Sequence, residues 1–197
     1  QHRHHRRQVF AGLKKYGLYI NPAKCIFGVS SIEFLGHTVD PNAVTPLPSN
    51  VSIINDFPKP VDVNGLRRFL GIVNHYRRFL KGAASMLKPL TDALQIDKSD
   101  SGAKHKPSSN KNIDRFITFR WTPDMDAAFK RCKDALKSPP VLEHPDSSLP
   151  ISLATDASEV GAGAVLQQLS GSVWKPLQYW SQKFNSAERR YSTFDRE

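Results

Sequence analysis

The apolar positions of this chain change period several times along its length, and each change marks an element. Over residues 2–16, Val9, Phe10, Leu13 and Tyr16 recur at helical spacing, and Gly17 follows where a left-handed residue would end the helix. LYIN (18–21) alternates as a strand into Asn21-Pro22, and KCIF (24–27) and IEFLGHTV (32–39) read as two strands of a β-hairpin turned through Gly28-Val29-Ser30. PSNVSIINDF predicts a short helix opening behind Pro48, and PKPVD is an extended connector whose Asp62 can cap the next helix. That helix, NGLRRFLGIVNHYRRFL (64–80), has the strongest pattern: Leu66, Phe69, Leu70, Val73, Tyr76 and Leu80 share half of its circumference as a core face. Arg67, Gly71, Asn74, His75 and Arg78 gather on the opposite face, and a further helix is predicted around 83–94.

The second half has its own signals. Thr122 as N-cap, Pro123 at the first helical position, Asp124 and Asp126 early and lysines late predict a helix over 123–137, stopped by Pro139-Pro140. LPISLATD (149–156), GAGAVLQQ (161–168) and KPLQYWSQ (175–182) form a predicted three-stranded antiparallel meander whose second turn is Ser170-Gly171-Ser172. Ser192 and Asp195 stand in capping-box spacing, so a new helix is expected near Thr193. Residues 96–115 are rich in Ser, Lys, Asp and Asn and short of large apolar side chains, which predicts a linker and domain boundary. The fold class expected from this order is α+β.

Composition narrows the partners. With 197 residues, 39% of them hydrophobic, the chain can bury at least one core, which excludes disorder throughout. Its apolar stretches fall far short of the roughly 20 residues of a bilayer span and no leader-like segment opens it, so no membrane partner and no secretion are expected. Cys25 and Cys132 lack metal-ligand spacing and are expected as free thiols in a reducing compartment. The first residue is Gln1 and the last is Glu197 in mid-pattern, so both ends read as cut. Net charge is +10, with 13 basic against 5 acidic residues up to Gln95 and 15 against 13 beyond it. A polyanion, nucleic acid first, therefore belongs mainly to the first half. The HRHHRR opening reads as a solvated helix face, with metal binding by His2, His4 and His5 as the alternative. Glycine inside a helix costs about 1 kcal/mol against alanine, so Gly71 on the basic face suggests the close approach of another backbone. A plain solvated face is the competing reading.

In their order these segments resemble the polyprotein of gypsy-type long-terminal-repeat retrotransposons, from about residue 4 to 197 apart from the linker. GLYINPAKCIFGVSSIEFLGHTVD looks like the end of a reverse transcriptase palm, with FLGHTV (34–39) as the primer grip. LRRFLGIVNHYRRFL looks like the thumb helix, RWTPDMDAAFKRCKDALKSPPVLEHPD like the connecting segment, and LATDASEVGAGAVLQQ, WKPLQYWSQKF and AERRYSTFDRE like the front of a tethered ribonuclease H domain. The resemblance implies a palm remnant over 1–58, a helical thumb over 59–95, a linker over 96–120, a connecting helix segment over 121–148 and a truncated ribonuclease H-like domain over 149–197.

It also implies roles. Asp156 matches the first and Glu197 the second of the carboxylates, usually four, that hold two magnesium ions in ribonuclease H, so both are candidate catalytic and metal-binding residues. Arg67, Gly71, Asn74, His75 and Arg78, with Leu35, Gly36 and His37 of the hairpin, match the surface that follows an RNA–DNA hybrid or DNA duplex. The polymerase aspartates of the family include an adjacent pair, and this sequence has no Asp-Asp dipeptide. The expectation is thus a fragment of a reverse transcriptase/ribonuclease H that keeps duplex binding, works beside the rest of its polyprotein in a cytoplasmic particle or nucleus, and is inactive by itself. A non-catalytic nucleic-acid-binding remnant and an inert fragment of a decayed element are the alternatives.

Overall fold

The computed structural model describes residues 2–96 and 121–196, which fall into two compact units, Gln1–Ser30 and Ser31–Glu197. The predicted linker, apart from Ile96, and the candidate residue Glu197 lie outside the described residues. Among the described residues no helix is long and apolar enough to cross a membrane.

In the first unit, helix α1 (His2–Lys15) ends as its sequence predicts. Gly17 takes φ +66°, Leu18 N–H donates to Leu13 O at 2.9 Å and Gly17 N–H to Lys14 O at 3.2 Å, a Schellman closure that satisfies two orphan carbonyls. The segment after Gly17 departs from expectation, because neither LYIN nor KCIF is a strand. The Asn21 side chain accepts from Ala23 N–H at 3.0 Å and caps a 3₁₀ turn over Pro22–Lys24, a local bond that competes with strand pairing. Phe27 instead folds back edge-on to Phe10, with ring centroids 6.0 Å apart.

The second unit begins with the hairpin, displaced from its predicted place. Strands β1 (Ile32–Phe34) and β2 (His37–Val39) pair with each other inside the single run that the alternation had suggested. Leu35 (φ +48°) and Gly36 (φ +77°) form the two-residue turn, the left-handed pair that a tight hairpin requires. Two short strands went unpredicted: β3 (Ala43–Pro46), beside β2, and β4 (Leu142–Glu143), which adds to β3 from the far side of the sequence. Two to four residues carry too little periodicity to register.

Helix α2 (Pro48–Asn55) precedes α3 (Val63–His75), whose N-cap Asp62 accepts from Gly65 N–H at 2.6 Å. The helix predicted to run to residue 80 stops at His75; Tyr76 leaves helical geometry and Arg77–Phe79 form a 3₁₀ turn. Helices α4 (Ala83–Ile96) and α5 (Pro123–Lys137) come next, the latter capped by Thr122, which accepts from Met125 N–H at 3.2 Å. The meander is β5 (Ile151–Ala157), β6 (Gly161–Ser170) and β7 (Val173–Lys183), antiparallel throughout and turned at Gly171-Ser172. Helix α6 (Thr193–Arg196) starts at the expected box: Ser192 Oγ–H donates to Asp195 Oδ2 at 2.6 Å and accepts from Asp195 N–H at 3.2 Å. Helices and antiparallel sheets together make the α+β class that the sequence predicts.

One core serves the second unit. Ile54, Leu66, Phe69, Val73, Leu80, Leu90, Leu136 and Leu142 are fully buried together, so the segments 31–96 and 121–148 share an interior. The Phe69 and Phe129 rings meet at 4.5 Å, Trp121 Nε1–H donates to Pro60 O at 2.6 Å, and Lys133 Nζ donates to Asn55 O at 3.0 Å and Phe57 O at 2.6 Å. Burial pushes the Cys132 thiol up to about 12, so it stays protonated; both cysteines are free.

Tyr76 fixes the hairpin to this core. Only 1% exposed, its hydroxyl donates to Gly36 O at 2.9 Å and accepts from Asn50 Nδ2–H at 2.8 Å. His37 Nδ1 and His75 Nε2 lie 2.9 and 3.1 Å from Leu35 O, so both carbonyls of the turn are engaged. A Cβ on Gly36 would come within 3.0 Å of Asn50 Nδ2 and Tyr76 Oη. His37 stacks on Phe79 at 5.6 Å; burial lowers its pKa below the ordinary 6.5, the charges of His75 and Arg78 add to that, and the bond to Leu35 opposes it.

Two measurements check this anchorage. Tyr76→Phe leaves Asn50 without its acceptor and should lower the unfolding free energy by about 1–2 kcal/mol, measured by urea denaturation at unchanged m. Because the folded state holds His37 below its unfolded pKa, its contribution is complete above about pH 6.5 and is lost as pH falls from there through the folded value. Thermal melting of wild type should therefore drop more between pH 7.5 and 5.5 than that of His37→Phe; equal drops would contradict this role.

Candidate nucleic-acid interface

Helix α3 buries one side and presents the other as a ridge. Val63, Leu66, Phe69, Leu70 and Val73 face the core, which leaves Arg67, Gly71, Asn74 and His75 exposed, as the 3.6-residue period requires. On one flank of the ridge lies an open concavity of about 660 Å³ lined by Leu35, Gly36, Asn50, Ile53, Arg68, Gly71, His75 and Tyr76. The hairpin turn and the helix therefore share a surface, and five of the predicted contact residues meet there: Leu35, Gly36, Gly71 and His75 on the lining, and His37 immediately behind, its ring 5.2 Å from that of His75.

The predicted residues do not all behave alike. Asn74 turns to the other flank, where a smaller cavity of about 190 Å³ is lined by Arg77, Thr91 and Lys183. Arg78 is not on the helix at all, because the break at Tyr76 carries it into the 3₁₀ turn. There it is half-buried, its guanidinium 5.7 Å from the centre of the Phe79 ring and its Nε buried without a hydrogen-bond partner among the described residues. Gly71 has open space in place of a side chain: a Cβ there would meet nothing within 4 Å. No packing among the described residues therefore calls for the glycine. Arg68, Asn50 and Ile53 were missed. Arg68 was legible, since 68, 71 and 75 stand at i, i+3 and i+7, whereas nothing in the sequence marks Asn50 or Ile53 as neighbours of that face.

The second predicted site is less complete. Asp156 is exposed near the end of β5 and lines a cavity of about 340 Å³ with Lys81 and Gly82 of the turn before α4, with Ser85 from its first turn, and with Ser158, Trp180 and Ser181. Cross-strand pairing puts it in one row with Gly163 and Ser181. Ser181 is buried; its Oγ accepts from Ala84 N–H at 3.0 Å and its carbonyl accepts from Arg77. Among the described residues Asp156 is the one carboxylate on this lining, and no group of three or more His, Cys, Asp or Glu residues among them could hold a metal ion. A pair of magnesium ions needs more oxygen donors than this, so the described residues do not by themselves fit one.

Comparison with known proteins places these observations. A family model described as an RNase H-like domain found in reverse transcriptase matches residues 121–197. The Tf2-3 polyprotein of the transposon of Schizosaccharomyces pombe is 34% identical over 198 aligned residues, and the Tf2-4 polyprotein equally so. The alignment takes in 100% of this chain but only 13% of either polyprotein, so the chain spans about an eighth of the length of these relatives. Among solved structures, the foamy viral protease-reverse transcriptase in complex with dsDNA superposes with a TM-score of 0.68 at 20% identity, covering 95% of this chain and 36% of that one. The same protein in complex with RNA/DNA hybrid gives 0.71 at 19%, covering 99% and 24%. At that identity the structures share the fold. The sequence relatives go further: this chain is homologous over its whole length to a stretch of the Tf2 polyproteins, which are of the long-terminal-repeat, Ty3/gypsy type, and over residues 121–197 it matches the RNase H-like domain found in reverse transcriptase.

Proposed function

We propose that this chain is the duplex-gripping part of a retrotransposon reverse transcriptase/ribonuclease H, binding an RNA–DNA hybrid or DNA duplex through the α3 ridge and the Leu35-Gly36 turn. The observation that carries the reading is Gly71. It sits mid-helix, exposed, at a cost of about 1 kcal/mol against alanine, with nothing among the described residues packed over it. A flat place beside a rigid turn, flanked by Arg67, Arg68 and His75, suits a sugar-phosphate backbone passing close by. The foamy viral neighbours bound to dsDNA and to RNA/DNA hybrid support the same partner class. Arg67, Asn74 and Arg78 complete the proposed contact set, Arg78 from the 3₁₀ turn that follows the helix. The segments 1–58, 59–95, 121–148 and 149–197 are proposed as palm remnant, thumb, connection and ribonuclease H-like portion, joined through a 96–120 linker. The remainder of the polyprotein supplies what DNA synthesis needs.

For ribonuclease H chemistry, Asp156 is proposed as one carboxylate of a magnesium site and Glu197 as the second. The donors among the described residues do not by themselves make up such a site.

The binding reading makes a quantitative demand. Roughly four phosphate contacts on B-DNA give a slope of about −3.6 for log affinity against log salt, and Arg67→Ala should flatten it by about 0.9. Gly71→Leu should weaken duplex binding with little change in slope. Since a side chain at 71 meets nothing and leucine favours helix, that variant should melt no lower than wild type. Fluorescence anisotropy with circular dichroism reads all of this, and unchanged duplex affinity in both variants would remove the α3 ridge from the function. Purified 1–197 should also show no magnesium-dependent cleavage of the RNA strand of a hybrid. Cleavage abolished by Asp156→Asn would show that the site is complete after all.

A further inference from the structure

We infer that the first unit, Gln1–Ser30, carries a separate binding surface for single-stranded nucleic acid, independent of the α3 ridge. Up to Ser30 the sequence has six lysines and arginines and not one aspartate or glutamate, so this unit holds most of the net charge of +10 in about a seventh of the chain. The charge is ordered. Arg3, Arg7, Phe10 and Lys14 stand at i, i+4, i+7 and i+11 on α1, a single stripe about 16 Å long at 1.5 Å per residue. Arg3, Arg7 and Lys14 are all exposed along it.

Aromatic rings select the kind of polyanion. Tyr19 is 100% exposed and Tyr16 is 74% exposed, with Lys15 Nζ 5.6 Å from the Tyr16 ring centre. Phe27 is half-exposed, with the Arg6 guanidinium 5.2 Å from its ring centre. The Gly17 turn sets Leu18-Tyr19-Ile20 beside an open cavity of about 430 Å³ whose lining includes Phe10, Leu13 and Lys14. Exposed rings next to a cationic stripe are a stacking platform, and only unpaired bases offer their faces to it. A duplex would use the charges and leave the tyrosines idle.

The test uses the full chain and three probes: a labelled 12-nucleotide oligothymidylate, a 12-base-pair duplex, and phosphatidylserine-containing vesicles. Replacing Arg3, Arg7 and Lys14 together by glutamine, a good helix former, should lower oligothymidylate affinity at least tenfold and flatten its salt slope by about 2, at 0.7 per phosphate. Tyr19→Ala should lower it about fivefold or more with the slope unchanged, because stacking and not charge is removed. Arg67→Ala should leave oligothymidylate binding intact whatever it does to the duplex, which separates this inference from the ridge. Circular dichroism confirms that α1 persists. The inference is overturned if the triple variant and Tyr19→Ala both bind oligothymidylate within twofold of wild type, or if Arg67→Ala weakens it as much as the triple variant does. It is equally overturned if the triple variant loses duplex and vesicle binding to the same extent while Tyr19→Ala changes nothing, the mark of a generic polyanion contact.

Discussion

The hydroxyl of Tyr76 is the point on which the second unit turns. Its ring fills the core beside Phe79, and such a ring is seldom buried unless its polar end finds partners. Here it finds two, Gly36 O and Asn50 Nδ2, on elements 40 and 26 residues away. One side chain thereby ends α3, seats the hairpin turn, and ties α2 to both. The positive φ values of Leu35 and Gly36 are held in place by this anchorage, with His37 and His75 occupying the neighbouring carbonyl. A turn fixed in this way offers a surface of constant shape, which is what recognition by shape rather than by sequence demands.

A second tie runs through the end of the same helix. Arg77, released from α3 by the break at Tyr76, donates to the carbonyl of Ser181 in β7, and Ser181 accepts from the first turn of α4. On the other side, β4 closes the sheet begun by the hairpin, and the Gln168 side chain accepts from Asp146 N–H and donates to His144 O. The helical part and the meander are therefore joined at two places by hydrogen bonds to buried polar groups. Losing such a bond costs more than forming it gains, so these ties fix geometry more than they add stability.

Charge obeys a different logic from packing. In the first unit Arg3, Arg7 and Lys14 are exposed in one row along α1, while in the second unit lysines repeatedly complete the structure itself. Lys133 caps the C-terminal carbonyls of α2, Lys183 and Lys88 share Asp92, and Lys175 pairs with Glu143. The net +10 of the sequence thus divides into cations that face outward and cations that the fold consumes. A count cannot make that division.

The sequence by itself determined the helices, their caps and their core faces, because those depend on residues within one or two turns. Asp62, Thr122 and Ser192 cap as their spacing predicts, and all six apolar positions assigned to the face of α3 and its continuation are buried. It also determined the meander, whose alternation extends over seven or more residues in each strand. What only the tertiary structure decided depended on partners distant in sequence. The hairpin moved to Leu35-Gly36 because its turn is held by Tyr76. Helix α3 stopped short because Tyr76 and Arg77 have partners that a continued helix would withhold, and Arg78 left the basic face with them. Strand β4 exists only through its pairing with β3, about a hundred residues earlier. Periodicity reports what one element buries; it carries no information on which distant group will accept a particular proton.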